Sequence, residues 1–245
     1  MLEYLALSPA EYAVAATGIF MGTFLQRLSG QAFGMVSAPI LAMAAPAYLP
    51  ATLLFLGIFV GLTSTALDTS QITKSELAPG FSGRALGAVI GAILAMIAVR
   101  SSLISLLVAG IVYLGIGLSL VGIRVAIRPV TLFSAGTLAG IMGTLTGIGA
   151  PPMALLYQHE ETRRAAAMQN AFFFWGMVVS ILSLAIAGFV TLRHIAFAGA
   201  LAPAAVGALF LSQRVAGSFA KRRIRPFALA LAGIAATILV IRTLY

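Results

Sequence analysis

Thr146-Gly147-Ile148-Gly149-Ala150-Pro151-Pro152 interrupts an otherwise apolar run, and Ser29-Gly30-Gln31-Ala32-Phe33-Gly34 does the same 117 residues earlier, Gly30 standing against Gly147. Glycine permits backbone angles that other residues avoid, and proline removes an amide donor and stops a helix. Each break therefore divides its run into a helical hairpin, either re-entrant or made of two tilted helices. The runs themselves lie at 12–28, 31–45, 50–67, 82–99, 103–122, 131–147, 149–157, 166–188, 195–213 and 226–243. The first two, and the pair at 131–157, are shorter than a comfortable membrane span of about 20 residues.

Composition agrees with a chain that lives in lipid. Of 245 residues, 61% are hydrophobic and 9% charged, against about 25% charged in soluble domains. Most of the length has no aqueous face, and no room is left for a separate soluble domain. The net charge of +9 would suggest nucleic acid in a soluble protein. Here the basic residues fall between apolar runs, where they read as topology signals and contacts with anionic lipid. There is no cysteine, so disulfides and thiolate metal sites are excluded. The N-terminus carries Glu3 and Glu11 but no Lys or Arg before Arg27. It lacks the basic flank of a cleavable signal, and the first span is expected to be retained.

A second internal match accompanies the breaks. Gly87-Ala88-Val89-Ile90-Gly91-Ala92-Ile93-Leu94 parallels Pro203-Ala204-Ala205-Val206-Gly207-Ala208-Leu209-Phe210 at a shift of 116. Two matches at nearly one shift point to duplication. The expected fold is all-α and polytopic, with an N-terminal repeat over 1–125 and a C-terminal repeat over 126–245. Each repeat holds a broken hairpin (12–45 or 131–157) and three transmembrane helices, in one membrane domain.

Basic residues set the orientation. If each hairpin returns to the side it entered from, Lys74, Arg84, Arg124, Arg128, Arg163, Arg164, Arg214, Lys221, Arg222, Arg223 and Arg225 share one side. Arg100, Arg193 and Arg242 share the other, an eleven-to-three division. Treating each hairpin as one crossing divides them eight to six. The stronger bias puts the eleven-residue side in the cytoplasm and both termini outside the cell (inner) membrane. Each half then crosses an odd number of times, so the repeats are inverted, as in many secondary transporters with a site near the midplane.

Irregular backbone at membrane depth is tolerated where it is buried in protein or lines a cavity. Both breaks are thus site candidates, since a helix starting after each would aim amide N–H groups and its positive dipole end at an anion. The competing reading is close helix packing through small residues. Arg27, two residues before the first break, either faces a partner or cavity or snorkels from a hairpin tip. No carboxylate in its own run could neutralise it, which favours an anionic substrate. Glu3, Glu11, Asp68, Glu76, Glu160 and Glu161 all fall at span ends or in loops, so a buried-carboxylate cation site has little material. Asp68 reads as a helix cap. His159 and His194 also fall in loops, and neither a metal nor a proton relay is expected. Gln169 and Asn170 open an apolar run, where an unpaired amide is costly. They could line a path or bond to neighbouring helices; Thr144 and Thr146 could bond back to their own helix.

Phe24-Leu25-Gln26-Arg27-Leu28-Ser29-Gly30-Gln31-Ala32-Phe33-Gly34-Met35-Val36-Ser37-Ala38-Pro39-Ile40-Leu41 resembles the first repeat motif of the sulfite exporter TauE/SafE family, also called the toluene sulfonate uptake permease family. The stretch 137–158 resembles its second, and similarity continues through 163–174 and 182–215. The motif centres depart from the commoner glycine pattern at Gln31, Ala32, Ala150 and the two prolines that follow. The resemblance implies a permease for a small anion such as sulfite, an organosulfonate or a related oxyanion, with both glycine motifs near the substrate. The expected substrate-binding set is Arg27, Ser29, Gly30, Gln31, Gly34, Thr146, Gly147, Gly149, Gln169 and Asn170, working by alternating access. A passive anion channel is the alternative. An embedded enzyme is disfavoured, because no buried histidine or paired carboxylate is available for chemistry. No cofactor is expected and no nucleic acid; the partners are the small anion and the bilayer, and homo-oligomerisation is left open.

Overall fold

The computed structural model describes residues 2–66, 69–98, 101–215 and 221–244. Asp68 and Arg100 lie outside them. The described residues form helices and no strand.

A short α1 (Leu2–Leu5) precedes α2 (Pro9–Ser29) and α3 (Phe33–Ala44), which make the first broken hairpin. A single 3-10 turn (Pro46–Tyr48) leads to α4 (Ala51–Ala66), α5 (Lys74–Ala98) and α6 (Ser101–Val121). The second broken hairpin is α7 (Pro129–Thr146) and α8 (Ala150–Tyr157), followed by α9 (Thr162–Ile186), α10 (Leu192–Val215) and α11 (Lys221–Leu244). Five of these helices are long and apolar enough to cross a membrane: Lys74–Ile97, Pro129–Thr146, Thr162–Ile186, Leu192–Arg214 and Pro226–Leu244.

Local chemistry sets the helix ends. Ser8 and Glu11 form a reciprocal capping box at the start of α2, with Pro9 in the first turn, where its missing N–H costs nothing. Thr131 accepts from the Arg128 amide at the start of α7, and the Glu161 carboxylate accepts from the amides of Arg163 and Arg164 at the start of α9. Gly30 and Gly147 terminate α2 and α7 in the left-handed region, at φ 76° and 80°, a conformation glycine adopts without the penalty a Cβ imposes.

The two breaks are built alike. Gly30 N–H donates to Gln26 and Gly147 N–H to Gly143, at 2.7 and 2.8 Å. The hydroxyls of Ser29 and Thr146 each donate to the carbonyl four residues back, and each accepts from the amide two residues on. The breaks also touch: a Cβ added to Gly34 would collide with the Gly147 carbonyl and lie 3.1 Å from the Ile148 Cα.

Hairpin dimensions differ from expectation. At 21 and 18 residues, α2 and α7 are about 32 and 27 Å long, whereas α3 and α8, at 12 and 8 residues, reach about 18 and 12 Å. Only the second arm of each hairpin is too short for a hydrocarbon core of about 30 Å. The first run looks short in sequence because Pro9 and Glu11 interrupt its apolar character, yet the capping box draws them into the helix. The first full span expected after the hairpin, α4, has 16 residues and spans about 24 Å, because it starts only after Pro50.

Packing pairs the elements crosswise. α5 lies along α7 and α10 along α2; α9 packs on α4 and α5, α10 also on α4; α11 meets α6 and α3, and α6 meets α8. Contacts between α5 and α7 run backbone to backbone. A Cβ on Gly83 or Gly87 would strike the carbonyls of Phe133 or Thr137, and one on Gly140 would stand 2.5 Å from the Arg84 carbonyl oxygen. Small residues at such a seam let helices associate by van der Waals contact, the chief attraction available in lipid.

The ends of the molecule are distinct. At one, Tyr48 donates to Leu5 at 2.6 Å and packs on His194 and Phe197, and the Arg193 guanidinium lies over Tyr4. At the other, Glu76 accepts from Tyr157 at 2.6 Å and from Arg164 at 2.5 Å, and Arg164 also pairs with Glu160. His194, Arg163, Arg164 and Arg193 thus occupy first turns of helices rather than loops. The N-cap residues ahead of α9 and α10 are polar, which makes these turns read as loop in sequence.

Candidate functional site

Arg84 is the larger correction. Expected in a cytoplasmic loop, it is the eleventh residue of the 25-residue α5, about 15 Å along a helix of about 37 Å. It is 3% exposed. The helix begins eight residues before the apolar run at 82, because Lys74 to Phe81 continue it despite Pro79 and Gly80.

What surrounds the side chain explains how it fits. Cβ atoms at Gly143, Gly149 or Gly176 would collide with the guanidinium. Three glycines, from α7, the second break and α9, thus bring bare main chain against the charge where any other residue would fill its space. The guanidinium borders a cavity lined also by Gly30, Gly80, Gly136, Gly149, Gln169, Phe172 and Phe173. The free space is about 20 Å³, room for about one water.

Its hydrogen bonding is incomplete. Nε and Nη1 of Arg84 are buried without a partner, as is Oε1 of Gln169, itself 6% exposed. A buried ion costs several kcal/mol unless it is paired and hydrogen-bonded, and an oxyanion would supply both an opposite charge and acceptors. No carboxylate lines the cavity. Two unpartnered donors and a positive charge beside a small enclosed recess suit an anion.

Of the residues expected at a site, Gly30, Gly149 and Gln169 line this cavity. The others sit elsewhere. Arg27 is half-buried near the end of α2. Asn170 accepts from Gln26 at 2.9 Å, and the Gln26 carbonyl oxygen in turn accepts from the Phe33 amide. Gln31 and Ile148 amides are taken by Ser29 and Thr146, and Gly34 and Gly147 press on one another. Thr144 bonds across to Ser180 at 2.8 Å. The helix-start amides that the breaks were expected to offer are thus largely used internally. In α8, moreover, Pro151 and Pro152 have none to offer. Positive charge comes instead from Arg84. A signal for it existed: Gly80, Gly83, Gly87 and Gly91 flank the arginine at helical spacing, which marks a packed helix face rather than a loop.

A polytopic helical bundle with a buried arginine beside two helix breaks belongs to the class of multi-pass membrane proteins. The family comparison agrees in class. The family described as sulfite exporter TauE/SafE matches residues 14–239, and the chain belongs to that family. It is accordingly a multi-pass membrane transporter rather than an enzyme. No curated protein and no solved structure matches the chain.

Proposed function

We propose that this transporter moves a small oxyanion of the sulfite or sulfonate type by alternating access around Arg84. The observation that carries the reading is a fully enclosed guanidinium with two unpartnered donors, in a cavity to which both halves contribute: Gly30 and Arg84 from the first, Gly149 and Gln169 from the second. A recess with room for one water must open to admit and release such an anion, which suits rocking of one half against the other.

Inverted repeats over 1–125 and 126–245 are part of the proposal. Three things support them. The breaks share one hydrogen-bond pattern; the helix contacts are reciprocal, α5 on α7 answering α10 on α2, and α11 on α3 answering α6 on α8; and two elements pair with their own counterparts, α4 with α9 and α6 with α11. With Arg84 removed from the loop count, 11 − 1 leaves ten basic residues against three, and the orientation with both termini outside keeps its support.

Flux in proteoliposomes tests the site. Arg84→Gln keeps an amide donor but removes the charge and shortens the side chain, and sulfite flux is expected to fall at least about tenfold, with Arg84→Lys between it and wild type because a point charge replaces the planar guanidinium. Wild-type flux in a folded Arg84→Gln protein would end the proposal.

A further inference from the structure

The hydrogen-bonding inventory of the Arg84 cavity goes further than "anion". The residues that line it bring one positive charge and no negative one, and on two of them Arg84 Nε and Nη1, both donors, and Gln169 Oε1, an acceptor, are buried without a partner. Glutamine's carbonyl oxygen can only accept. An anion that accepts alone, placed between these groups, would satisfy the arginine and leave Gln169 buried opposite another acceptor. A dianion would in addition carry a second negative charge with no cation lining the cavity to offset it, the costliest condition for a buried ion.

Resting on the anion site proposed above, we infer that it selects a monoanion bearing its own hydrogen-bond donor, a protonated oxyanion such as hydrogensulfite or a hydroxylated sulfonate. Arg84 takes the charged oxygens. Gln169 takes the donor. The same pair rejects sulfate, which has two charges and nothing to donate. Sites built to pair a substrate hydroxyl discriminate strongly against the analogue lacking it, because the protein group is then left unpaired. Sulfite should accordingly bind as its protonated form, with apparent affinity falling as pH rises through its second ionisation. A sulfonate, a monoanion throughout, should show no such fall.

Two sulfonates of equal heavy-atom count isolate the donor: hydroxymethanesulfonate and ethanesulfonate, differing by OH against CH₃. Binding of each, and of sulfate, to the purified full-length protein is measured by calorimetry in mildly acidic buffer. The expected result is hydroxymethanesulfonate at least about tenfold tighter than ethanesulfonate, with sulfate weaker than both. Gln169→Met, nearly isosteric, is expected to bring the two sulfonates to equal affinity; Gln169→Leu provides a second variant, and each is checked for folding by its melting curve. Equal affinities in the wild type would overturn the inference, since the amide would then present its NH₂ to the cavity. Sulfate bound as tightly as the sulfonates would overturn the charge argument and the inference with it. Binding of none of the three, by contrast, would remove the anion site itself.

Discussion

Arg84 and its glycines show how a single side chain defines a site. The guanidinium is accommodated because residues 143, 149 and 176 have no Cβ. The consequence of adding one depends on what it meets. At Gly176 the contacts are Nε, Cζ and Nη2 of Arg84, the movable end of a long side chain. Gly176→Ala is therefore expected to displace the guanidinium without breaking the fold: sulfite flux falls on the order of tenfold, equivalent to about 1.4 kcal/mol, while the melting temperature stays close to wild type. A large loss of stability with binding intact would contradict this. Gln169 and Asn170, adjacent in sequence, illustrate the same dependence on surroundings. One lines the cavity and has an unpartnered acceptor, and the other is tied to Gln26, a division that residue type cannot reveal.

Elements follow a different logic, that of close approach. The seam between α5 and α7 is made of backbone, and there an added methyl cannot be sidestepped. A Cβ at Gly140 would stand 2.5 Å from the Arg84 carbonyl and 2.7 Å from the Ala88 amide, so Gly140→Ala must push two helices apart. Overpacking of this kind costs about 1–3 kcal/mol, and the measurable outcome is a lowered melting temperature in detergent. The contrast with Gly176→Ala separates seam from site. Helix extents were largely legible in sequence, since apolar runs and glycine breaks fall within a few residues of the observed ends. The extension of α5 back to Lys74 was not. Pro79, Gly80 and Gly83 look like loop residues, and only packing against α7 and Phe172 shows them to be helix.

Across the whole molecule, orientation is the open quantity to measure, and the absence of native cysteine makes single-cysteine labelling direct. Ala10 and Ser75 are both exposed and belong to opposite ends, Ala10 near the end holding Leu5, Tyr48 and Arg193, Ser75 beside Glu76. With both termini outside, Ala10→Cys reacts with a membrane-impermeant maleimide in intact cells and Ser75→Cys reacts only after permeabilisation. The reverse pattern would turn the protein over in the membrane.

Sequence by itself determined the membrane class, the helix inventory, the two matched breaks at Gly30 and Gly147 and the family, because apolar length, backbone freedom and short motifs are local properties. Tertiary structure alone decided which groups meet. Burial is a property of the packed bundle: the charge of Arg84 is held inside by glycines that lie 59 to 92 residues further along the chain. Its local sequence reads as loop for that reason, and the cavity exists only where α5, α7 and α9 come together around it.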